Sequence, residues 1–290
     1  MLTCFGASCY PVCFVFGSDG VMQQNQLNKF RAWFDDYVAG FYGDDEYVNA
    51  NLKLKEEHTR RTCEEMLYLT KELDLSDEQM RLAQVIALFH DIGRFEQFVR
   101  HRTYVDRRSV DHCLLGLEVL RDMKTLDRVN ETERQWIEKA IEYHGVKELP
   151  PCLNGDCLLF SKLIRDADKI DSLYVMTECL TQYAENPVEY KLEIEVPDKP
   201  GYSDDVVQAL LRGQPIDYGW MKTLNDMKLC LLGWIYDVNF TPTLKRIKQR
   251  RLIEILIDFL PKTRDIKKVE EKMFDYVDLR ISQEKPERGK

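Results

Sequence analysis

No apolar run in the 290-residue chain approaches the roughly 18 to 20 residues needed to cross a bilayer, so a helical membrane span is not expected. Positive charge is in deficit: 41 lysines and arginines against 50 aspartates and glutamates leave a net charge of -9. General affinity for a nucleic acid backbone is therefore excluded as an expectation, and any anion site must be local. Cysteine offers no framework either. The nine cysteines are an odd number at irregular intervals, and a chain of this size does not need disulfides to fold, which points to a reducing cytoplasm. Cys152 and Cys157 bracket Leu-Asn-Gly-Asp without a second pair at matching spacing, so a zinc site there is weakly supported and both read as structural. Strand patterning is nearly missing. Only Tyr190, Leu192, Ile194 and Val196 alternate with charged residues, enough for one short strand or extended segment and no sheet. Residues 1–20 hold no basic residue, unlike a secretory signal; we treat 1–21 as a poorly defined leader, with an upstream-extended start before Met22 at least as good a reading as a functional one.

What remains is helical. The central stretch runs from Leu82 to Arg94, where Ser76 and Gln79 form a capping box, with Leu75 and Met80 as a hydrophobic staple. Val85 to Phe89 are apolar on every side, as in an enclosed helix, and Gly93 is expected to end it in the left-handed conformation. Before it, Leu27, Phe30, Trp33, Phe34, Val38 and Phe41 recur at helical spacing, and a second helix over about 45–73 carries His58 on one stripe with Thr62, Met66, Leu69 and Leu73. After it, Ser109 is expected to cap a helix in which His112 shares a face with Leu115, Gly116, Val119 and Met123. Gly116 there leaves room for another backbone. Asn130 and Glu133 read as a second capping box, for a helix with Ile137, Ala140 and His144 on one stripe. Residues 158–175 form a further helical run containing Arg165-Asp-Ala-Asp-Lys-Ile-Asp171, in which Asp168 shares a face with Ile164 and Val175. Helices resume from Ser203, among them an aromatic run, 232–240, and a basic face at Lys245, Arg246, Lys248, Arg250 and Arg251 that is expected to be solvated. The fold class is all-α, with a core over 22–185 and a C-terminal helical extension over 186–290 packed on it.

The chain has only five histidines, and four of them (58, 90, 112 and 144) fall on inward stripes of four different helices. A single one is more often a satisfied core residue than a ligand. Four, joined by Asp91 beside His90 and by Asp168 on a fifth helix, have a simpler common explanation in divalent cations, because an unpaired carboxylate or imidazole in apolar surroundings is costly. Between them, residues 94–108 hold five arginines (94, 100, 102, 107 and 108) against Glu96 and Asp106. That segment is either a solvated loop of paired charges or a local anion site.

This ordered set resembles the signature of the HD-domain superfamily of metal-dependent phosphohydrolases: a histidine, a later His-Asp pair and a final aspartate, here His58, His90-Asp91 and Asp168, the last within Ala167-Asp-Lys. The resemblance covers about 45–180 and implies an HD-domain helical bundle, with the C-terminal helices outside it. His112 and His144 are similar to the two extra histidines of binuclear members. The Gly-Tyr-Pro element of the cyclic-dinucleotide branch is absent, since Arg94-Phe-Glu-Gln follows His-Asp-Ile-Gly, which argues against cyclic di-GMP as substrate. The resemblance implies two divalent transition metal ions (manganese, iron, cobalt, nickel or zinc), one on His58, His90, Asp91 and Asp168 and one on His112 and His144, with Asp91 bridging. A metal-bound hydroxide would then cleave a small phosphate ester, a nucleotide or phosphorylated metabolite. Catalytic roles fall to Asp91 and to Arg94, which stands where the binuclear cyclic-dinucleotide members carry a phosphate-contacting lysine. Arg100, Arg102 and Lys169 are further substrate-binding candidates.

Two other readings share these ligands. Some HD-fold enzymes use the same six ligand types for a di-iron centre that activates oxygen, which would make the protein an oxygenase acting on a small phosphorylated or polyol substrate. A sensing or interaction protein that kept the fold is the third, and the complete ligand set argues against it.

Overall fold

The computed structural model describes residues 21–188, 196–214 and 216–283. The leader 1–20 and the alternating positions Tyr190, Leu192 and Ile194 lie outside them. Among the described residues there are twelve α-helices and no strand: α1 (Gln24–Ala39), α2 (Glu46–Glu72), α3 (Asp77–Phe89), α4 (Gly93–His101), α5 (His112–Asp122), α6 (Glu131–Tyr143), α7 (Gly155–Glu185), α8 (Asp204–Arg212), α9 (Leu224–Gly233), α10 (Thr241–Gln249), α11 (Leu252–Asp258) and α12 (Arg264–Ser282). The fold is all-α.

Contacts divide the chain into two compact units. The first is Met1–Lys55 with Ser76–Ile164, and the second is Glu56–Leu75 with Arg165–Lys290, a partition drawn along different lines from the sequence boundary at 185. In the first unit α3 is the central rod, packed by α1 and α6, while α5 packs on α4 and α6. The Ser76 capping box is present in both directions. Seven residues of α3 are buried, and the rings of Phe30 and Trp33 each meet Phe89 edge-on at 5.5 Å. Full burial of an aromatic side chain of this kind is worth about 1.5–3 kcal/mol. Met22 is fully buried, and its N–H donates to Glu133 Oε1 at 2.9 Å. That contact takes the side chain expected to complete the second capping box: Asn130 accepts from the Glu133 N–H, but Glu133 turns to Met22 instead.

Two further expectations are corrected. Gly93 does not end α3 in a left-handed turn. It starts α4, and its lack of a side chain serves packing, because a Cβ there would stand 2.3 Å from His112 O and 2.6 Å from Gly116 N. Gly116 is the matching gap on α5, as its position one turn after His112 implied. Ser109 does not cap α5. That role belongs to Asp111, which accepts from the N–H groups of Cys113 and Leu114, while Ser109 Oγ donates to Val105 O behind a short 3-10 turn, Asp106–Arg108.

The second unit packs α8 on α9 and α12, and α10 on α11 and α12. Buried Asp166 organises its middle. Its carboxylate accepts from Asn239 N and Nδ2, Phe240 N and Thr243 Oγ1, which anchors the segment leading into α10. The basic face of α10 is not wholly solvated, because Arg246 and Arg250 both close on the buried carboxylate of Glu65.

Candidate metal centre

Three of the histidines sit at helix ends in the first unit, where backbone polar groups are available to hold them. His90 follows α3 and His144 follows α6. In each, Nδ1 lies 2.8 Å from the carbonyl three residues earlier, Ala87 O and Ile141 O. A carbonyl can only accept, so Nδ1 carries a hydrogen and Nε2 is the nitrogen that could ligate a cation. His112 opens α5, and its Nδ1 is 2.7 Å from Asp106 Oδ2. In the second unit His58 Nδ1 is 2.7 Å from Asp171 Oδ2, and its Nε2 is 3.3 Å from Asp168 Oδ1. Arg61 secures Asp171 in turn, with Nε 2.6 Å from Oδ1. All four imidazoles therefore share one feature: Nδ1 is held by an acceptor oxygen.

Asp91 divides its two oxygens between different partners. Oδ1 faces His112 Nε2 at 3.5 Å and His144 Nε2 at 3.7 Å, whereas Oδ2 faces His90 Nε2 at 3.7 Å and Lys55 Nζ at 2.9 Å. Burial alone would raise its pKa, but Lys55, His90, a hydrogen bond with His144 and Arg94 outweigh burial and hold the carboxyl well below the usual range. The carboxylate is thus ionised where water is scarce.

The donor set fits a metal ion. His112 Nε2 and His144 Nε2 are 3.1 Å apart, a separation bridged by a hydrogen on one of the two rings or by a cation that both ligate. Two metal–nitrogen bonds of about 2.0–2.1 Å at angles between square and tetrahedral place their nitrogens about 2.8–3.4 Å apart. The surroundings favour positive charge there. Burial should lower the pKa of both rings, yet Asp106 and Cys113 raise that of His112, and Cys113 and Asp91 raise that of His144 far above the ordinary imidazole range.

The arginine-rich segment is not a loop but begins as α4, and its first arginine is largely enclosed. Arg94, with a side chain 14% exposed, places Nη1 within 2.8 Å of Gln97 Oε1, Tyr104 O and Asp106 Oδ1, and Nε 3.4 Å from Asp91 Oδ1. It links the carboxylate beside the histidines to the carboxylate that orients His112, which is a positioning role. Arg100 pairs with Glu96 and Arg102 with Asp45, both at the surface, and Lys169 in the second unit pairs with Asp237 at 2.8 Å.

Four participants had escaped the sequence reading. Asp171 stands one helical turn after Asp168, a spacing that could have identified it. Lys55 precedes His58 by three residues and offered only that weak signal. Asp106 reaches His112 through the 3-10 turn, and Cys113 was hidden among nine unremarkable cysteines; nothing in the sequence pattern singles out either.

Among the described residues no helix is long and apolar enough to cross a membrane. No curated protein and no solved structure matches the chain. A family model described as HD domain matches residues 56–173, a span that includes His58, His90, Asp91, His112, His144 and Asp168. Residues 56–173, less than half of the chain, are similar to the HD domain.

Proposed function

We propose that the protein is a phosphohydrolase that uses two divalent transition metal ions to cleave a small phosphate ester. The observation that carries this reading is the split carboxylate of Asp91, with one oxygen toward the His112–His144 pair and the other toward His90. A carboxylate so placed can serve two cations at once. In the first unit His112 and His144 would hold one ion with Asp91, and His90 with the other oxygen of Asp91 would supply ligands to the second. Bound there, such ions supply Lewis acidity toward a phosphoryl oxygen and lower the pKa of a ligating water.

The chain's own groups do the remaining work. Asp106 and Asp171 hold His112 and His58 in the tautomer that presents Nε2. Arg94 keeps Asp91 and Asp106 in register. Lys55 is 20% exposed, held beside Asp91 and 5.3 Å from the centre of the Tyr104 ring, whose hydroxyl donates to Asn51 O. It is therefore the cation best supported as a contact for an anionic substrate, ahead of Arg94. The deciding experiment assays protein reconstituted with manganese or with iron, under air and without it, against nucleotides, phosphomonoesters and phosphodiesters. Phosphate release independent of oxygen supports the proposal; turnover that requires oxygen and iron would replace it with the oxygenase reading.

A further inference from the structure

The donors around the His112–His144 pair include a sulfur. Cys113, in the first turn of α5, is buried, with Sγ 3.5 Å from His112 Nε2 and 3.6 Å from His144 Nδ1. One donor atom each from His112, Cys113 and His144 lies within 4.8 Å of the other two. Around a tetrahedral ion with a metal–sulfur bond of about 2.3 Å and a metal–nitrogen bond of about 2.0–2.1 Å, sulfur and nitrogen stand about 3.5 Å apart. The observed separation from His112 Nε2 is that distance.

The local sequence holds the sulfur in place. Asp111 caps α5 and accepts from the Cys113 N–H at 2.9 Å, which orients the first turn and sets the thiol beside His112. Gly145, directly after His144, leaves that side uncovered: a Cβ there would touch Sγ at 3.4 Å and His112 Cε1 at 3.5 Å. Of the two imidazole nitrogens at the sulfur, His112 Nε2 is the one on the metal-binding side, while His144 Nδ1 is held by Ile141 O.

We propose that Cys113 Sγ is a thiolate ligand of the ion held by His112 and His144, so that this position takes zinc, iron(II) or cobalt(II) in preference to manganese or magnesium. The proposal rests on the metal-dependent reading above. On binding, the metal–sulfur bond replaces the S–H bond, the proton leaves to solvent, and no oxidation state changes. Thiolate is a soft donor, and a site containing one discriminates against cations that prefer oxygen.

The test is a cobalt(II) titration of the full chain followed by absorption, with Cys113→Ser alongside. Wild type should show visible ligand-field bands together with a near-ultraviolet thiolate-to-cobalt charge-transfer band. In Cys113→Ser the charge-transfer band should vanish while ligand-field bands remain, and zinc affinity should fall by about tenfold or more with manganese affinity unchanged. Cobalt bound without charge transfer in wild type, or with the same band in Cys113→Ser, would overturn the thiolate ligand and leave the metal-dependent hydrolase standing. No cobalt bound by either protein would overturn both. Should Cys113→Ser not fold, zinc X-ray absorption on wild type replaces it, and the absence of a sulfur neighbour at about 2.3 Å counts against the proposal.

Discussion

Lys55 Nζ lies 2.9 Å from Asp91 Oδ2, so an ammonium shares the carboxylate oxygen that also faces His90. An ammonium in that position competes with a metal for the oxygen, yet it is also available to an anionic substrate. Lys55→Met should therefore bind metal at least as tightly as wild type while losing about ten- to a hundredfold in kcat/KM toward a phosphate ester, the value of about 1.5–3 kcal/mol expected for a charge-assisted hydrogen bond. Calorimetric metal titration and steady-state kinetics on the same preparation separate the two effects. Unchanged kinetics would restrict Lys55 to pairing with Asp91.

Metal content should follow the division of Asp91. Wild type is expected to hold two ions per chain, His112→Ala and His144→Ala about one each, and Asp91→Ala none, with activity abolished. Elemental analysis after dialysis reads this directly. One ion in wild type, unaltered in the two histidine variants, would remove the binuclear mechanism.

The carboxylates behind the histidines should matter without touching a metal. Asp106→Asn and Asp171→Asn keep the shape but lose the charge that orients His112 and His58, and each should weaken metal affinity by about ten- to a hundredfold. The Asp106 carboxyl is pulled down to about 2 in spite of burial, by the hydrogen bond and charge of His112 and by Arg94. Equal metal affinity in wild type and Asp106→Asn would mean that the ring is held by packing alone.

The two facing glycines should differ sharply. A Cβ on Gly93 meets backbone at 2.3 and 2.6 Å, which cannot be relieved by a rotamer change, whereas on Gly116 the nearest atom is a side-chain methyl, Ile92 Cγ2, at 3.1 Å. Gly93→Ala should cost at least the about 1–3 kcal/mol typical of overpacking, and Gly116→Ala less. Thermal unfolding followed by circular dichroism provides the comparison. Equal melting temperatures would show that α4 and α5 can separate freely.

Much of this protein is legible in its sequence, because helical periodicity is a local property. The stripes through Phe30 and Phe34, through Val85 to Phe89 and through Ile137 and Ala140 place these residues in the core without reference to any neighbour, and the same periodicity turns His58, His112 and His144 inward with them. The Ser76 cap, satisfied within four residues, is equally local. Tertiary structure decided what depends on partners distant in sequence or on turns without a period. Met22 drew Glu133 out of its capping box, and Asp111 displaced Ser109 once the 3-10 turn at Asp106–Arg108 had set the chain's path. The same turn delivered Asp106 to His112 and let Arg94 spend its hydrogens inside the protein. The histidines and aspartates that could hold a metal were written in the chain; what holds each imidazole in place came from carbonyls and carboxylates that only folding brings within hydrogen-bond distance.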